Sequence, residues 1–273
     1  MPASSQTPRS GYVPIGALRM FYTIRGAGDP LILIHGGLGS SDMFVRIAPK
    51  LSAHRQIIAV DLQGHGRTAD IDRPLSFQAM ADDIEALLEH LRLREADVLG
   101  YSVGGEVALR MAIAHPKSVR RLIVISAAFK RDGWYPEILA QMEGLDEKAA
   151  EQLKQTDLYR TYRSIAPRPE EWASLCSKLG VMFRQDYDWT GEVAHIKAPT
   201  LLIFGDSDAV RIRHAEEFFE LLGGGRKDGG WDGSGVPRAH LAVLPGQTHY
   251  SILDSPLLAT VVDEFLGAPA RAP

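Results

Sequence analysis

The amino-acid sequence predicts an α/β protein built around a mostly parallel sheet. Short apolar runs of strand length alternate with segments of helical periodicity, as expected of successive strand–helix–strand units. Several of these runs are continuous in Leu, Ile and Val, which is typical of strands that helices cover on both faces. The expected strands are residues 18–24, 31–34, 57–60, 97–99, 122–125, 200–204 and 241–244.

Four helices are expected between or after these strands. Residues 76–91 carry apolar side chains three or four positions apart, which predicts an amphipathic helix. Residues 103–115 are apolar almost all the way round, so this helix should be deeply buried. Closing helices are expected at residues 214–222 and 255–265.

One stretch interrupts the alternation between two predicted core strands. Residues 129–195 show no strand pattern but are rich in Trp and Tyr. We interpret this stretch as a helical insertion between two core strands, with an aromatic face of its own. Residues 223–235 contain seven glycines and lack the Gly-Lys-Ser/Thr ending of a phosphate-binding loop, so they are expected to form a mobile surface loop.

Composition and charge exclude several classes of protein. The net charge is −4 and no basic stripe is visible, which argues against a nucleic-acid partner. No window holds 18 consecutive apolar residues, and residues 1–10 lack the apolar core of a secretory signal, so we expect a cytoplasmic protein with no membrane partner. Cys176 is the only cysteine, which excludes an intrachain disulfide and favours a free thiol in a reducing compartment.

The most informative segment follows a predicted strand and opens the buried helix. Residues 100–104 read Gly-Tyr-Ser-Val-Gly, a G-x-S-x-G pattern whose small residues allow a sharp turn from strand to helix. Ser102 would then be exposed at the carboxyl end of its strand. The helix N-terminus beneath it carries partial positive charge, which suits a developing oxyanion. This pattern in this position indicates a nucleophilic serine.

Small residues also follow a second predicted strand. The strand at residues 31–34 ends in a His-Gly-Gly sequence, where a turn can leave a backbone N–H free. The amides of Gly37 and Val103 are therefore candidates for an oxyanion hole. We interpret His35 and His65 as structural residues that bind loop backbone, since neither lies in a metal-binding spacing. No metal and no organic cofactor are expected.

A serine nucleophile needs a base and an acid that orients the base. Two further predicted strands are followed by suitable side chains, namely Asp206 and Asp208 after one and His249 after the next. Because neighbouring parallel strands end at one edge of a sheet, these loops should meet Ser102. The chain order Ser, Asp, His also matches enzymes with a nucleophile elbow. We predict His249 as the base and Asp208 as the acid, with Asp206 anchoring its loop.

Together, the segments HGGLGS, DLQGHGRT, GYSVGG, GDSD and PGQTH resemble the α/β-hydrolase superfamily, in its lidded single-domain branch. The resemblance covers nearly the whole chain and implies an eight-stranded, mostly parallel sheet with helices on both faces. It also implies a helical cap at residues 128–193, inserted in a core formed by residues 1–127 and 194–273. It implies Ser102 as nucleophile, Asp208 as acid, His249 as base and the amides of Gly37 and Val103 as oxyanion donors. The chain departs from the family in the long sequence separation between Asp208 and His249. The glycine-rich segment at residues 223–235 accounts for the extra length.

These residues predict acyl transfer from a carboxylic ester to water. The aromatic side chains of the cap favour a small to medium, apolar substrate, and we expect its pocket to include Trp134, Tyr135, Met142 and Phe183, with Met182 as a further candidate. A carbon–carbon bond hydrolase or a lactonase would use the same residues, and so would a small-ligand sensor of very slow turnover. The expected partner is this small molecule, and the cap and the glycine-rich segment are candidate homodimer contacts.

Overall fold

The computed structural model describes residues 8–268, which contain one sheet of eight strands. The strands are β1 (Arg9–Ile15), β2 (Leu18–Arg25), β3 (Asp29–Ile34), β4 (Arg55–Val60), β5 (Ala96–Tyr101), β6 (Val119–Ile125), β7 (Thr200–Ser207) and β8 (Ala239–Thr248). Their order across the sheet is β1-β2-β4-β3-β5-β6-β7-β8, and every neighbouring pair from β4 to β8 is parallel. The predicted eight-stranded, mostly parallel α/β sheet is therefore confirmed.

Helices connect these strands and cover both faces of the sheet. They are α1 (Ala48–Leu51), α2 (Phe77–His90), α3 (Val103–Ala114), α4 (Pro136–Glu143), α5 (Glu147–Leu153), α6 (Asp157–Ile165), α7 (Trp172–Phe183), α8 (Thr190–Val193), α9 (Ile212–Leu221) and α10 (Leu258–Gly267). Short 3₁₀ segments occur at Ser41–Phe44, Arg131–Gly133, Pro169–Glu171 and Ile252–Asp254.

Alternate residues of the central strands face opposite sides of the sheet. On β3, Ile32 and Ile34 pack into the core on the side of α2 and α3, whereas Leu31 and Leu33 pack into the core on the side of α1 and α10. All four side chains are fully buried. Burial on both faces explains why this strand reads in the sequence as one continuous apolar run.

The structure contains one strand that the hydrophobic pattern did not predict. β1 lies at the edge of the sheet, pairs only with β2, in antiparallel register, and buries Val13 alone among its residues. Its Gly11 and Pro14 are poor strand formers, and Pro is tolerated there because an edge strand is paired on one side only. A strand with so little buried surface leaves a weak signal in the sequence.

The last helix begins later and the last strand ends later than predicted. Ser255 has an extended backbone (φ −60°, ψ 127°) because it precedes Pro256, and the residue before a proline disfavours the helical conformation. α10 therefore begins at Leu258. β8 extends to Thr248, which lies opposite Ser207, because the pairing with β7 continues past the apolar part of both strands.

The insertion between β6 and β7 contains helices α4 to α8. Residues 129–135 form its first leg and residues 187–189 its second leg. The two legs lie side by side, since Arg131 N donates to Tyr187 O (3.0 Å). Both legs are thus joined at the point where the insertion meets the sheet. A cap that behaves as a separate unit over residues 128–193 stays a prediction.

Helix α3 lies very close to the sheet, and two glycines make this approach possible. A Cβ atom on Gly104 would lie 2.1 Å from Ile34 O and 2.5 Å from His35 O. A Cβ atom on Gly100 would lie 1.9 Å from Gly104 O. Only glycine fits at these two positions, and the start of α3 therefore rests directly against the ends of β3 and β5.

We expect Gly104→Ala to lower the free energy of unfolding by at least about 3 kcal/mol, because the new methyl group meets backbone atoms that cannot move aside singly. Gly191→Ala is the matched control, since a Cβ atom on Gly191 would meet nothing within 4 Å. Its unfolding free energy should change by less than about 1 kcal/mol. Guanidinium denaturation measures both variants, and equal changes would contradict the close packing of α3.

Candidate active site

Ser102 occupies the turn between β5 and α3 in a strained backbone conformation. Its φ is 53° and its ψ −126°, a left-handed region that costs a non-glycine residue on the order of 1–3 kcal/mol. The turn is held on both sides, because Ser102 N donates to Ile125 O (2.9 Å) and Gly105 N donates to Ser102 O (2.7 Å). The strain is therefore fixed by the fold, and it presents the hydroxyl at the carboxyl edge of the sheet.

The turn after β3 passes directly beside this serine. A Cβ atom on Gly36 would lie 3.0 Å from the Tyr101 ring and 3.2 Å from Ser102 Cβ. A Cβ atom on Gly37 would lie 3.1 Å from a methyl group of Val103. Gly37 therefore packs against the Val103 side chain, and both residues border the same open space as Ser102.

His35 and His65 lie in the core beneath this turn and outside the cluster that Ser102 forms with Asp208 and His249. His35 Nε2 accepts a hydrogen bond from Leu62 N (3.0 Å), and its Nδ1 donates to Gly36 O (2.7 Å). Burial lowers the pKa of His35 and lowers the pKa of His65 to about 3. Both rings are thus neutral and bind loop backbone, as the sequence interpretation expects.

Asp208 lies just beyond β7 and faces the His249 imidazole. Its Oδ1 is 3.1 Å from His249 Nδ1, while its Oδ2 accepts from Ser126 Oγ (2.5 Å) and from Gly205 N (3.0 Å). Burial alone would raise the pKa of Asp208, but the hydrogen bonds and the His249 ring outweigh it, so the pKa lies below its usual value. The carboxyl group is therefore ionised at neutral pH.

Asp206 binds a different part of the chain. Both of its carboxylate oxygens accept from Gly246 N, at 3.0 and 2.9 Å, which joins the end of β7 to β8. The side chain is exposed to solvent, whereas that of Asp208 is fully buried. The structure thus separates the two carboxylates into an anchor for the strand ends and a partner for His249.

His249 follows β8 and lies between Asp208 and Ser102. Its Nε2 is 3.1 Å from Ser102 Oγ. The hydroxyl of Tyr101 donates to the carbonyl of His249 (2.7 Å), which fixes the backbone at this point. The ring is flanked by Tyr101, with centroids 5.2 Å apart, and by Trp134 at 5.5 Å in an edge-to-face arrangement. Contacts on several sides therefore define the orientation of the imidazole.

A cavity of about 590 Å³ opens onto Ser102 and His249. Helices of the insertion supply much of its wall, and none of its lining residues is charged. Leucine is the commonest of them. Trp134, Met142 and Phe183 line the cavity, as the sequence analysis expects. The other lining residues are Gly37, Leu38, Val103, Ile138, Ala140, Gln141, Gly144, Leu145, Ala149, Gln152, Leu153, Leu158, Leu179 and Tyr250.

The expectation that Tyr135 belongs to this pocket is wrong. Tyr135 precedes α4 and is absent from the residues that line the cavity. The residue is 39% exposed, and its ring lies 5.8 Å from the Arg211 guanidinium. Met182 is also outside the lining set, because it is buried in α7 on another side of the helix from Phe183.

Sequence reasoning missed three polar residues in or next to the cluster that Ser102, His249 and Asp208 form. Ser126 follows β6 and Tyr101 ends β5, and each binds a member of the cluster. The rule that led to Asp208, a polar residue at the end of a parallel strand, would have found Ser126. Glu106 is fully buried in the first turn of α3, where burial raises its pKa to about 8 even though hydrogen bonds from Tyr187 and Trp134 favour the charged form.

Other kinds of site are less well supported by the described part of the chain. Within residues 8–268, no group of three or more His, Cys, Asp or Glu residues could hold a metal ion. Cys176 is buried, and burial raises the pKa of its thiol to about 12, so it is not a reactive nucleophile. No helix among the described residues has the length and apolar character to cross a membrane.

Comparison with known sequences agrees with this geometry. The sequence profile described as the alpha/beta hydrolase fold matches residues 29–168, just over half of the chain. The chain belongs to the alpha/beta hydrolase fold family. The AB hydrolase superfamily protein YisY of Bacillus subtilis is 31% identical to it over 209 residues, which cover 68% of this chain and 76% of that protein.

Other known proteins resemble the chain over a shorter stretch or at lower sequence identity. The pimeloyl-[acyl-carrier protein] methyl ester esterase of Neisseria meningitidis is 44% identical over 111 residues, which cover 40% of this chain and 41% of that protein. Several curated relatives are matched over only about a third to a half of their length. The crystal structure of carboxylesterase CesB from Bacillus subtilis has a TM-score of 0.72 at 20% identity, covering 97% of this chain and 93% of that one.

We expect Asp208→Asn to slow the labelling of Ser102 by a fluorophosphonate by on the order of 10⁴, because an amide cannot hold the imidazole in the required tautomer. Asp206→Asn is the matched control, and its amide oxygen can still accept the Gly246 N–H. Its labelling rate should stay within about threefold of the wild type. If Asp206→Asn proved the more damaging change, Asp208 would not be the orienting acid.

The buried Glu106 predicts a specific dependence of stability on pH. Between its ordinary pKa of 4.5 and about 8, the unfolded chain releases the Glu106 proton while the folded protein retains it. Ionisation therefore favours the unfolded state, and the stability that the buried acid contributes below pH 4.5 is lost as the pH rises through this range. Glu106→Gln removes this effect.

Guanidinium denaturation measures this effect when the wild type and Glu106→Gln are compared at both ends of the pH range. The free energy of unfolding of the variant should rise relative to that of the wild type as the pH increases. A difference that stays constant across the range would show that Glu106 has the same pKa in both states, against the burial described above.

Proposed function

We propose that this alpha/beta hydrolase family member is a serine hydrolase that cleaves carboxylic esters of small to medium, apolar substrates through an acyl-enzyme. One observation carries the proposal: Ser102 Oγ, His249 Nε2 and Nδ1, and Asp208 Oδ1 form a continuous chain with separations of 3.1 Å at the floor of an uncharged cavity. Such a chain is the arrangement that activates a serine hydroxyl.

In the first step, Ser102 Oγ attacks the ester carbonyl while His249 Nε2 takes the hydroxyl proton. The ionised Asp208 holds His249 Nδ1–H and stabilises the imidazolium that forms. His249 then returns the proton to the departing alcohol, and an acyl group remains on Ser102. A water molecule, activated in the same way, hydrolyses this acyl-enzyme and restores the free serine.

The negative charge that develops on the carbonyl oxygen needs hydrogen-bond donors. We assign this role to the backbone N–H groups of Gly37 and Val103, whose residues border the space beside Ser102. Each such donor is typically worth about 10²–10³ in turnover.

The lining of the cavity supports the choice of substrate. Its wall holds leucines together with Ile138, Met142 and Phe183, and no charged side chain. An apolar acyl or alcohol group would be removed from water there, at about 25 cal/mol for each Å² buried, whereas an anionic group would be desolvated without a partner. The names of the relatives that are esterases also favour an ester as the bond cleaved.

The direct test is a series of p-nitrophenyl esters, from acetate through butyrate and hexanoate to octanoate, with a hemisuccinate as the charged counterpart. We expect steady multiple turnover, a preference for the butyrate and hexanoate esters, and little hydrolysis of the hemisuccinate. Ser102→Ala serves as the blank and should lose about 10⁶ in kcat.

Three outcomes would contradict the proposal. A single slow acylation without further turnover would indicate a small-ligand sensor. Faster cleavage of a vinylogous diketone or of a lactone than of any ester in the series would indicate a carbon–carbon bond hydrolase or a lactonase. Retention of a tenth of the activity by Ser102→Ala would exclude this serine as the nucleophile.

A further inference from the structure

Glu106 is a buried carboxyl group close to the site, and the mechanism above does not use it. It lies four residues after Ser102, in the first turn of α3, and is completely inaccessible to solvent. Its Oε1 accepts from the hydroxyl of Tyr187 (2.7 Å) and from Trp134 Nε1 (3.2 Å). Its Oε2 is buried as well, and the backbone N–H of Ala128 lies close enough to the carboxyl group to favour its charged form. Burying a carboxyl group is costly, so its retention at this position calls for an explanation.

The two donors come from different parts of the insertion. Trp134 lies on the first leg and Tyr187 on the second leg, and the two side chains also contact each other, since Trp134 Nε1 is 3.2 Å from the Tyr187 hydroxyl. Both legs are thus hydrogen-bonded to a single oxygen atom on the helix that begins at the nucleophile. Within the core, Glu106 therefore provides a shared acceptor for both legs of the insertion.

Trp134 contacts both Glu106 and His249, so it connects the buried carboxyl group to the proposed base. Its indole is fully buried, lines the substrate cavity and packs edge-to-face on the imidazole of His249. Its backbone forms an isolated bridge with Val210, two residues beyond Asp208. The indole is thus held on one side by Glu106 and presses on the other against the ring that must take the Ser102 proton.

We propose that Glu106 is a positioning residue, which fixes the indole of Trp134 against His249 and so keeps the imidazole aligned with Ser102. The inference rests on the proposed function, because His249 is the general base of that reaction. Glu106 touches neither the substrate cavity nor the reacting atoms. It acts through Trp134, and Tyr187 completes the attachment from the second leg.

The chemistry of the two donors explains why an acceptor is needed here. An apolar side chain in place of Glu106 would leave the Tyr187 hydroxyl without its acceptor, and the indole N–H, which can only donate, with the Tyr187 oxygen alone. Burial raises the pKa of Glu106 to about 8, so the group is a neutral acid at neutral pH. Glutamine has the same shape and keeps the accepting oxygen. The proposal therefore distinguishes Glu106→Gln, which should preserve the function, from Glu106→Leu, which should not.

The experiment compares kcat and KM for p-nitrophenyl butyrate, and the rate of fluorophosphonate labelling, among the wild type and four variants. Glu106→Leu should lower kcat and the labelling rate by about tenfold to a hundredfold with little change in KM, since a small misalignment of the base affects chemistry more than binding. Glu106→Gln should stay within about threefold of the wild type. Tyr187→Phe, which removes one hydroxyl outside the cavity, should show a smaller loss of kcat.

Tyr159→Phe is the matched control for Tyr187→Phe. Tyr159 lies in α6 of the same insertion and packs on Trp172, with ring centroids 5.5 Å apart, away from the cavity. Its loss of a hydroxyl should leave kcat and the labelling rate unchanged. If Glu106→Leu does not fold, the comparison of Tyr187→Phe and Glu106→Gln with the control decides the question.

The proposal is overturned if folded Glu106→Leu keeps wild-type kcat, if Glu106→Gln is as damaged as Glu106→Leu, or if Tyr187→Phe and Tyr159→Phe behave alike. Failure of the proposed function gives a different result. A wild-type protein that is labelled at Ser102 but does not turn over esters would refute ester hydrolysis, and the labelling rates of the variants would still judge the role of Glu106. A wild-type protein that is not labelled would refute both.

Discussion

The site depends on one steric constraint, the contact between the start of α3 and the carboxyl ends of β3 and β5. Gly100 and Gly104 permit this contact, and their Cβ positions would fall about 2 Å from backbone oxygen atoms. Because the helix begins so close to the strands, Ser102 is forced into a positive φ and its side chain is directed out of the sheet edge. The same contact places Val103, the first residue of α3, against Gly37, whose Cβ position would lie 3.1 Å from a methyl group of Val103. The position of Ser102 and that of the proposed oxyanion donors thus follow from a single packing arrangement.

Sheet order then assembles the remaining groups. β5, β6, β7 and β8 are consecutive neighbours, and the polar residue after each strand enters one hydrogen-bonded series. In that series Ser102 is followed by His249, His249 by Asp208 and Asp208 by Ser126, with separations between 2.5 and 3.1 Å. The parallel pairing of strands therefore brings together residues that are up to 147 positions apart in the sequence.

Much of this could be predicted from the sequence, because local patterns encode it. A continuous apolar run indicates a strand that is buried on both faces, and a polar residue at the end of such a strand indicates the edge of the sheet. β1 could not be predicted, since its only buried side chain is Val13. Tyr135 was wrongly placed because adjacent residues at a helix start point in different directions, and an aromatic-rich stretch does not show which of them faces the cavity. Glu106 left no signal, because a glutamate in an apolar helix gives no indication of the tryptophan and tyrosine that bind it.

The insertion is attached to the core close to the site, since Trp134 and Tyr187 on its two legs both bind Glu106 on the helix that follows Ser102. The most direct test of the whole arrangement is a crystal structure of the protein after reaction with a phosphonate ester. We expect phosphorus bonded to Ser102 Oγ, with the phosphoryl oxygen about 3 Å from the backbone nitrogens of both Gly37 and Val103. Phosphorus on another side chain, or a phosphoryl oxygen directed into the cavity away from both amides, would contradict it.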